Sequence, residues 1–385
     1  MHFSTLFLST GALLARAASA GYVLTDDYEP NNFLDKFNFF TGADPTHGFV
    51  EYLSRADASA AGMVGPSDSK GVYMGVDSKT MWPANGRKSV RIESTKTYNG
   101  GLFIVDIAHM PSNTCGTWPA FWLFGPDWPA SGEIDIIEGV NTQAQNSVTL
   151  HTSQGCTMSN VNTIKSTYFV GSNCGGTNGC GQHTMDNQNY GAGFNALGGG
   201  VYAMDWTPER IAVWFFPRSK IPADIASGNP NPSNWGQAVA SFTGATCDIG
   251  SFFKEHQIVF NTAFCGDWAG SNWSQDPECS ALAPTCQQYV GGNPGAFKDA
   301  FWDIHSLKVY QQGNGAPAPA PAPAPSAAAP APKPVASAPA APAPAPPAPK
   351  PSAPAPQPTT PASQPSFPVD HNNGQSWNGL GWAAN

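Results

Sequence analysis

The sequence predicts an all-β protein, an antiparallel β-sandwich of β-jelly-roll type, with a Pro/Ala-rich C-terminal tail expected to be disordered. Three observations predict it. Apolar residues between Tyr22 and Gln312 recur with period two in short runs. Clusters of Gly, Pro, Asn and Asp separate those runs, as turns separate strands. No long segment carries the spacing of an amphipathic helix. Composition agrees: only 12% of the 385 residues are charged, about half the usual share, while Gly numbers 40 and Trp 12.

In chain order, residues 1–20 read as a secretory signal peptide. Leu6, Phe7, Leu8, Leu13 and Leu14 make a short apolar core, and Ala18-Ser19-Ala20 offers a small-residue cleavage site. Residues 21–312 form the globular region. Its expected strands include Val72 to Val76, Val90 to Ile92, Leu102 to Ile107, Val148 to Leu150, Ile211 to Phe216, Ile258 to Phe260 and Phe301 to Val309. Residues 313–367 are a Pro/Ala-rich linker. The stretch from Ala316 to Ser366 has no aromatic side chain to bury, so it is expected to stay extended and unfolded. Residues 368–385 carry Trp377 and Trp382 but are too few to build a core.

The eight Cys all lie between Cys115 and Cys286, and an even count behind a signal peptide implies disulfides. Two short loops are expected, one closed by Cys174 and Cys180, the other by Cys279 and Cys286. No Cys or His spacing suggests zinc. The formal net charge of −9 with no Lys/Arg cluster excludes a nucleic-acid partner. No apolar run is long enough to span a membrane. The chain is expected to act as a monomer, without metal or other cofactor.

Chemistry concentrates in Gly132-Glu133-Ile134-Asp135-Ile136-Ile137-Glu138. On a strand, Glu133 and Asp135 share one face. A one-residue bulge at Ile136-Ile137 would return Glu138 to that face. Three crowded carboxylates spread their proton affinities, so one can attack while another holds a proton for a leaving group. Double-displacement glycoside hydrolysis needs that division of labour. A solvated acidic edge and a Ca²⁺ site are the competing readings. The neighbours favour sugar chemistry: Trp118 and Trp122 lie just upstream. Downstream, Thr149 and His151 alternate with the apolar Val148 and Leu150, which aims His151 at the same cleft. Asn272-Trp273-Ser274 is a candidate N-glycosylation site at Asn272.

The Glu133 to Glu138 segment resembles the signature of glycoside hydrolase family 16, in the bulged form of laminarinases and endo-1,3(4)-β-glucanases. The upstream Trp118-Pro119-Ala120-Phe121-Trp122 is similar to the same family. So are Tyr202 to Ile211, Asn261 to Gly270 and Phe301 to Tyr310, and the resemblance extends over roughly residues 22–311. The resemblance implies Glu133 as nucleophile, Asp135 as its helper and Glu138 as acid/base. It implies substrate contacts from Trp118, Trp122, His151, Trp206, Trp268 and Asn261. The implied activity is retaining endo-hydrolysis of β-1,3- or mixed β-1,3/1,4-glucan by a secreted or wall-associated enzyme. Wall-glucan transglycosylation and non-catalytic glucan binding are the alternatives.

Overall fold

The computed structural model describes residues 21–176 and 178–313. The expected signal peptide, the Pro/Ala linker and the Trp-bearing C-terminal segment lie outside them. Two antiparallel sheets stack face to face, one of nine strands and one of eight. The eight-stranded sheet carries the chemistry. Its strands are β1 (Phe37–Phe39), β2 (Arg91–Tyr98), β3 (Thr117–Phe124), β4 (Glu133–Glu138), β5 (Ser147–His151), β6 (Thr167–Phe169), β7 (Cys180–Thr184) and β8 (His256–Phe264). Across the sheet they run β6-β7-β5-β4-β3-β8-β2-β1. At about 4.8 Å per strand, the outer face of this sheet is about 35 Å wide.

Alternation explains the layers. Ile134, Ile136, Val148 and Leu150 turn inward and meet Val105, Met204 and Val213 from the nine-stranded sheet in one core. Their sequence neighbours of opposite parity are left on the outer face. A second, smaller core forms beside one end of β3 and β8, where Phe264, Trp273, Val290 and Phe297 pack together. Buried Arg87 ties its strand to this layer by donating to the Val290 carbonyl at 3.1 Å.

All eight Cys pair: Cys115 with Cys279, Cys156 with Cys247, Cys174 with Cys180, and Cys265 with Cys286. The expected Cys174–Cys180 loop is present. The Cys279–Cys286 loop is not. Pro277–Leu282 and Cys286–Gly292 are separate helices, and each is stapled to the strand ends. Cys115 and Cys265 lie side by side there, with the Cys265 N–H donating to the Gly116 carbonyl at 2.9 Å, and each takes one of the two helical cysteines.

His256 begins β8 fully buried, its Nε2 2.8 Å from the Ser131 carbonyl and its ring 4.8 Å from that of Trp206. Burial pushes its pKa down to about 4, outweighing the Ser131 carbonyl, which pulls the other way. The folded state therefore binds fewer protons than the unfolded chain between about pH 6.5 and 4. The stabilisation from neutral His256 is present above pH 6.5 and is lost as pH falls through that window. We expect acidification from pH 6.5 to 4 to cost the wild type on the order of 3 kcal/mol more than His256→Gln. Denaturant melts of both proteins across that range check it, and parallel curves would refute it.

Candidate active site

Strand β4 opens at Gly132, whose φ of 81° turns the chain from the preceding loop into the sheet. A Cβ there would sit 2.5 Å from the Phe252 carbonyl oxygen, so the turn admits only glycine. The β-branched Ile residues then hold an extended strand. Against β3 the register runs Glu133 to Phe124 and Asp135 to Trp122, then jumps to Ile137 opposite Phe121 and Glu138 opposite Ala120. Ile136 is the extra residue of a β-bulge. Phe124, Trp122 and Ala120 share one parity, so Glu133, Asp135 and Glu138 all lie on the outer face, while all three Ile side chains are buried in the core.

Buried Asn146 holds the bulge. Its Oδ1 accepts the Glu138 N–H at 2.9 Å, and its Nδ2 donates to the Ile136 carbonyl at 2.7 Å. Its own N–H donates to Asn189 Oδ1 at 3.1 Å. The two backbone groups freed by the bulge are thereby satisfied.

Each glutamate receives an indole N–H. Trp118 Nε1 donates to Glu138 Oε1 at 2.8 Å, and Trp128 Nε1 donates to Glu133 Oε2. His151 lies directly across from Glu133 on β5, with Nε2 3.6 Å from Asp135 Oδ2. Trp122 donates to Asn261 Oδ1 at 2.9 Å, and Asn261 donates onward to the Tyr52 hydroxyl at 3.2 Å. Trp268 meets Trp118 edge to face with ring centroids 5.7 Å apart. The Arg91 guanidinium stacks over Trp122 at 5.0 Å and pairs with Glu93 at 2.8 Å.

Proton affinities are strongly perturbed. Burial, with the charge of Glu133 added, pushes Glu138 up to about 8 against the stabilising Trp118 hydrogen bond. Burial first, then the charges of Glu133 and Glu138, hold Asp135 well above the usual carboxylate range. Near neutrality Glu138 carries a proton. The strand thus offers a proton donor beside Glu133, the glutamate nearer the start of the strand. Glu133, Asp135 and His151 can each direct one ligand atom to a point, all within 4.8 Å of one another, and are a metal-compatible group among the described residues. Burial and the neighbouring carboxylates raise the proton affinity of Asp135 within that group, which suits acid–base work.

The structure gathers Glu133, Asp135, Glu138, Trp118, Trp122, His151, Asn261 and Trp268 on or beside one face. Trp206 does not join them. It ends the strand Gly200–Trp206 in the other sheet and is buried in the core against Phe103 and His256. Its parity puts it with Tyr202 and Met204, which face inward. Asn272 lies half-buried in a turn beside this region. Three residues of the site, Trp128, Arg91 and Asn146, are not among those the sequence points to. Trp128 does leave a signal in Trp-Pro between two Gly, an aromatic on the loop that enters the carboxylate strand.

The family model described as XgeA-like, catalytic GH16 domain matches residues 37–310. The chain belongs to glycoside hydrolase family 16. It is therefore a glycoside hydrolase. Among family-16 relatives, an endo-1,3(4)-β-glucanase of Arthroderma benhamiae is 48% identical over 318 residues, which are 80% of this chain and 69% of that protein. The chain spans about half the length of several other curated relatives that it matches. Two solved family-16 structures superpose with a TM-score of 0.70. One is an elongating β-1,3-glucosyltransferase, 45% identical, covering 75% of this chain and 100% of its own. The other is laminarinase 16A of Phanerochaete chrysosporium holding two β-glucans in donor and acceptor sites, 42% identical, covering 76% of this chain and 100% of its own.

Proposed function

We propose that the protein is a secreted endo-β-glucanase cleaving β-1,3- or mixed β-1,3/1,4-glucan with retention. The observation that carries this reading is the bulged strand that sets Glu133 and Glu138 on one face, each bound to an indole N–H, with Asp135 between them. Glu133 attacks the anomeric carbon while Glu138 passes its proton to the leaving oxygen. Glu138, now ionised, takes a proton from the water that resolves the glycosyl-enzyme. Asp135, between the two and with its proton affinity raised by burial and by both glutamates, is biased away from the charge that would oppose the build-up on Glu138. Trp118, Trp122, Trp268, Asn261 and His151 line the sugar path, and the relatives' names point to β-glucan as the polymer.

Four disulfides that use every cysteine support an oxidising, extracellular location. A transglycosylase reading has one specific support, the 45% identity with an elongating glucosyltransferase. It needs the same intermediate and differs only in the acceptor. A purely binding role is disfavoured, because both glutamates and the raised proton affinity of Glu138 are in place.

Incubation with laminarin, lichenan and cellulose, with products sized over time, separates hydrolysis from transfer and ranks the linkages. Proton NMR of the earliest laminarin product is expected to show the β-anomer before mutarotation. An initial α-anomer would rule out the double displacement.

A further inference from the structure

The outer face of the eight-stranded sheet continues well past the carboxylates. From β4 the strands β5, β7 and β6 follow in order, so β6 lies three strand spacings away, about 14 Å. Register identifies what faces outward there. Asp135 pairs with Thr149, Thr149 with Gly181, Ser147 with His183, and His183 with Tyr168. These residues therefore share the face of the carboxylates. Their neighbours point inward: Gln182 donates to the Ser241 carbonyl of the opposite sheet at 2.9 Å, and Thr167 Oγ1 to the Val239 carbonyl at 2.7 Å.

Four features of this outlying surface are those of a sugar platform. Tyr168 is 49% exposed and Val170 55%, an uncommon cost on the last strand of a sheet. The Tyr168 ring meets the His183 imidazole edge to face at 5.6 Å, which fixes both rings. Between them and the carboxylates lies Gly181. A Cβ built there would only touch Thr149, Val170 and His183 at 3.6 to 3.7 Å, so without one the floor stays low and open. His183 makes no side-chain hydrogen bond among the described residues, and burial keeps it neutral above about pH 4, so it can both donate to and accept from hydroxyls.

We propose that Tyr168, His183 and Val170 form an outer subsite of the cleft, in which a glucose ring of a long β-glucan chain stacks on Tyr168 above Gly181. The proposal rests on the β-glucan reading of the carboxylates. It assigns the subsite to polymer recognition: a chain too short to run from β4 to β6 cannot reach it. An aromatic pair serving only to cover the sheet edge would affect stability and leave substrate-length preference alone.

The test compares kcat/KM on laminarin with kcat/KM on an aryl laminaribioside, for wild type, Tyr168→Ala and Tyr168→Trp, alongside melting temperatures. In Tyr168→Ala the polymer-to-bioside ratio is expected to fall about tenfold, the scale of one lost aromatic contact. Tyr168→Trp keeps a stacking face and is expected to restore the ratio. An unchanged ratio in folded Tyr168→Ala, or a fall that Tyr168→Trp does not restore, would overturn the subsite while leaving the carboxylate assignment standing. A wild type that cleaves neither substrate would instead overturn the β-glucan reading itself.

Discussion

Glu133→Gln and Glu138→Gln each remove nearly all glucan cleavage while leaving the fold intact. Gln keeps the volume and the hydrogen-bonding oxygen, so Trp128 and Trp118 retain an acceptor. What disappears is the nucleophile in one case and the transferable proton in the other. Loss of the proton donor is expected to lower kcat on laminarin about 10³-fold or more. Loss of the nucleophile is expected to lower it on the order of 10⁴-fold or more, since no other carboxylate on the strand can take its position. The two variants part on a substrate with a good leaving group. Glu138→Gln retains the first step there, because that step no longer needs an acid, and Glu133→Gln does not.

Stability moves the other way. Glu138 titrates near 8 when folded and near 4.5 when unfolded, so its contribution is complete below pH 4.5 and is lost as pH rises through 8. Glu138→Gln escapes that loss. The variant is expected to melt at or above the wild-type temperature, with the gap widening from about pH 4.5 to about 8 and level beyond, as catalytic sites built on crowded charge commonly show. The wild type should lose activity over the same alkaline limb as its proton donor ionises. Kinetics on laminarin and aryl glucosides, with melts from pH 5 to 9, check these statements together. Near wild-type cleavage by either variant would sink the role assignment.

What sequence can reveal follows from how local each feature is. The period-two pattern of β4 and β5 is local, so the residues alone announce both the shared face of the carboxylates and the aim of His151 at the same cleft, while its register across from Glu133 comes from the strand pairing. The bulge is legible because Ile136 and Ile137 are consecutive apolar residues between polar ones of known face. Trp206 departs from its expected place in the cleft because parity tells which way a side chain leaves its strand, not which sheet the strand joins. In the nine-stranded sheet, the inward face is the core. The partners of Cys279 and Cys286 are hidden for a related reason: the two short helices dock on strand ends 164 and 21 residues away in sequence. Asn146 gives no signal at all, since its role depends on a carbonyl and an N–H freed only once the bulge exists. The Tyr168 platform is equally silent, because β6 is a short edge strand whose face is set by its pairing with β7.

Deletion of Ile137 is expected to yield a protein that folds but is crippled in both stability and activity. The remaining Glu133-Ile134-Asp135-Ile136-Glu138 alternates without a bulge, so both glutamates would still reach the outer face by parity alone. The surroundings are built for the extra residue. Asn146 bridges the Ile136 carbonyl and the Glu138 N–H across it, and without the bulge those two backbone groups are directed to β3 and β5 instead. Beyond Glu138 the slip reaches Asn141, which sits at a φ of 53°. Asn141 accepts the Gly116 N–H at 2.8 Å and donates to the Ala269 carbonyl at 2.9 Å, next to Trp268. Absorbing one residue therefore strains the ties that place Trp268 against Trp118. A buried Ile side chain and the Asn146 bridge are lost together, a cost on the order of 4 kcal/mol. A carboxyl displaced by about 1 Å from its working position costs roughly 10²-fold in rate. Melting temperature and laminarin kinetics of the deletion variant measure both. Full activity at unchanged stability would mean that Glu138 does not depend on the bulge, and the geometry assigned to this strand would have to be given up.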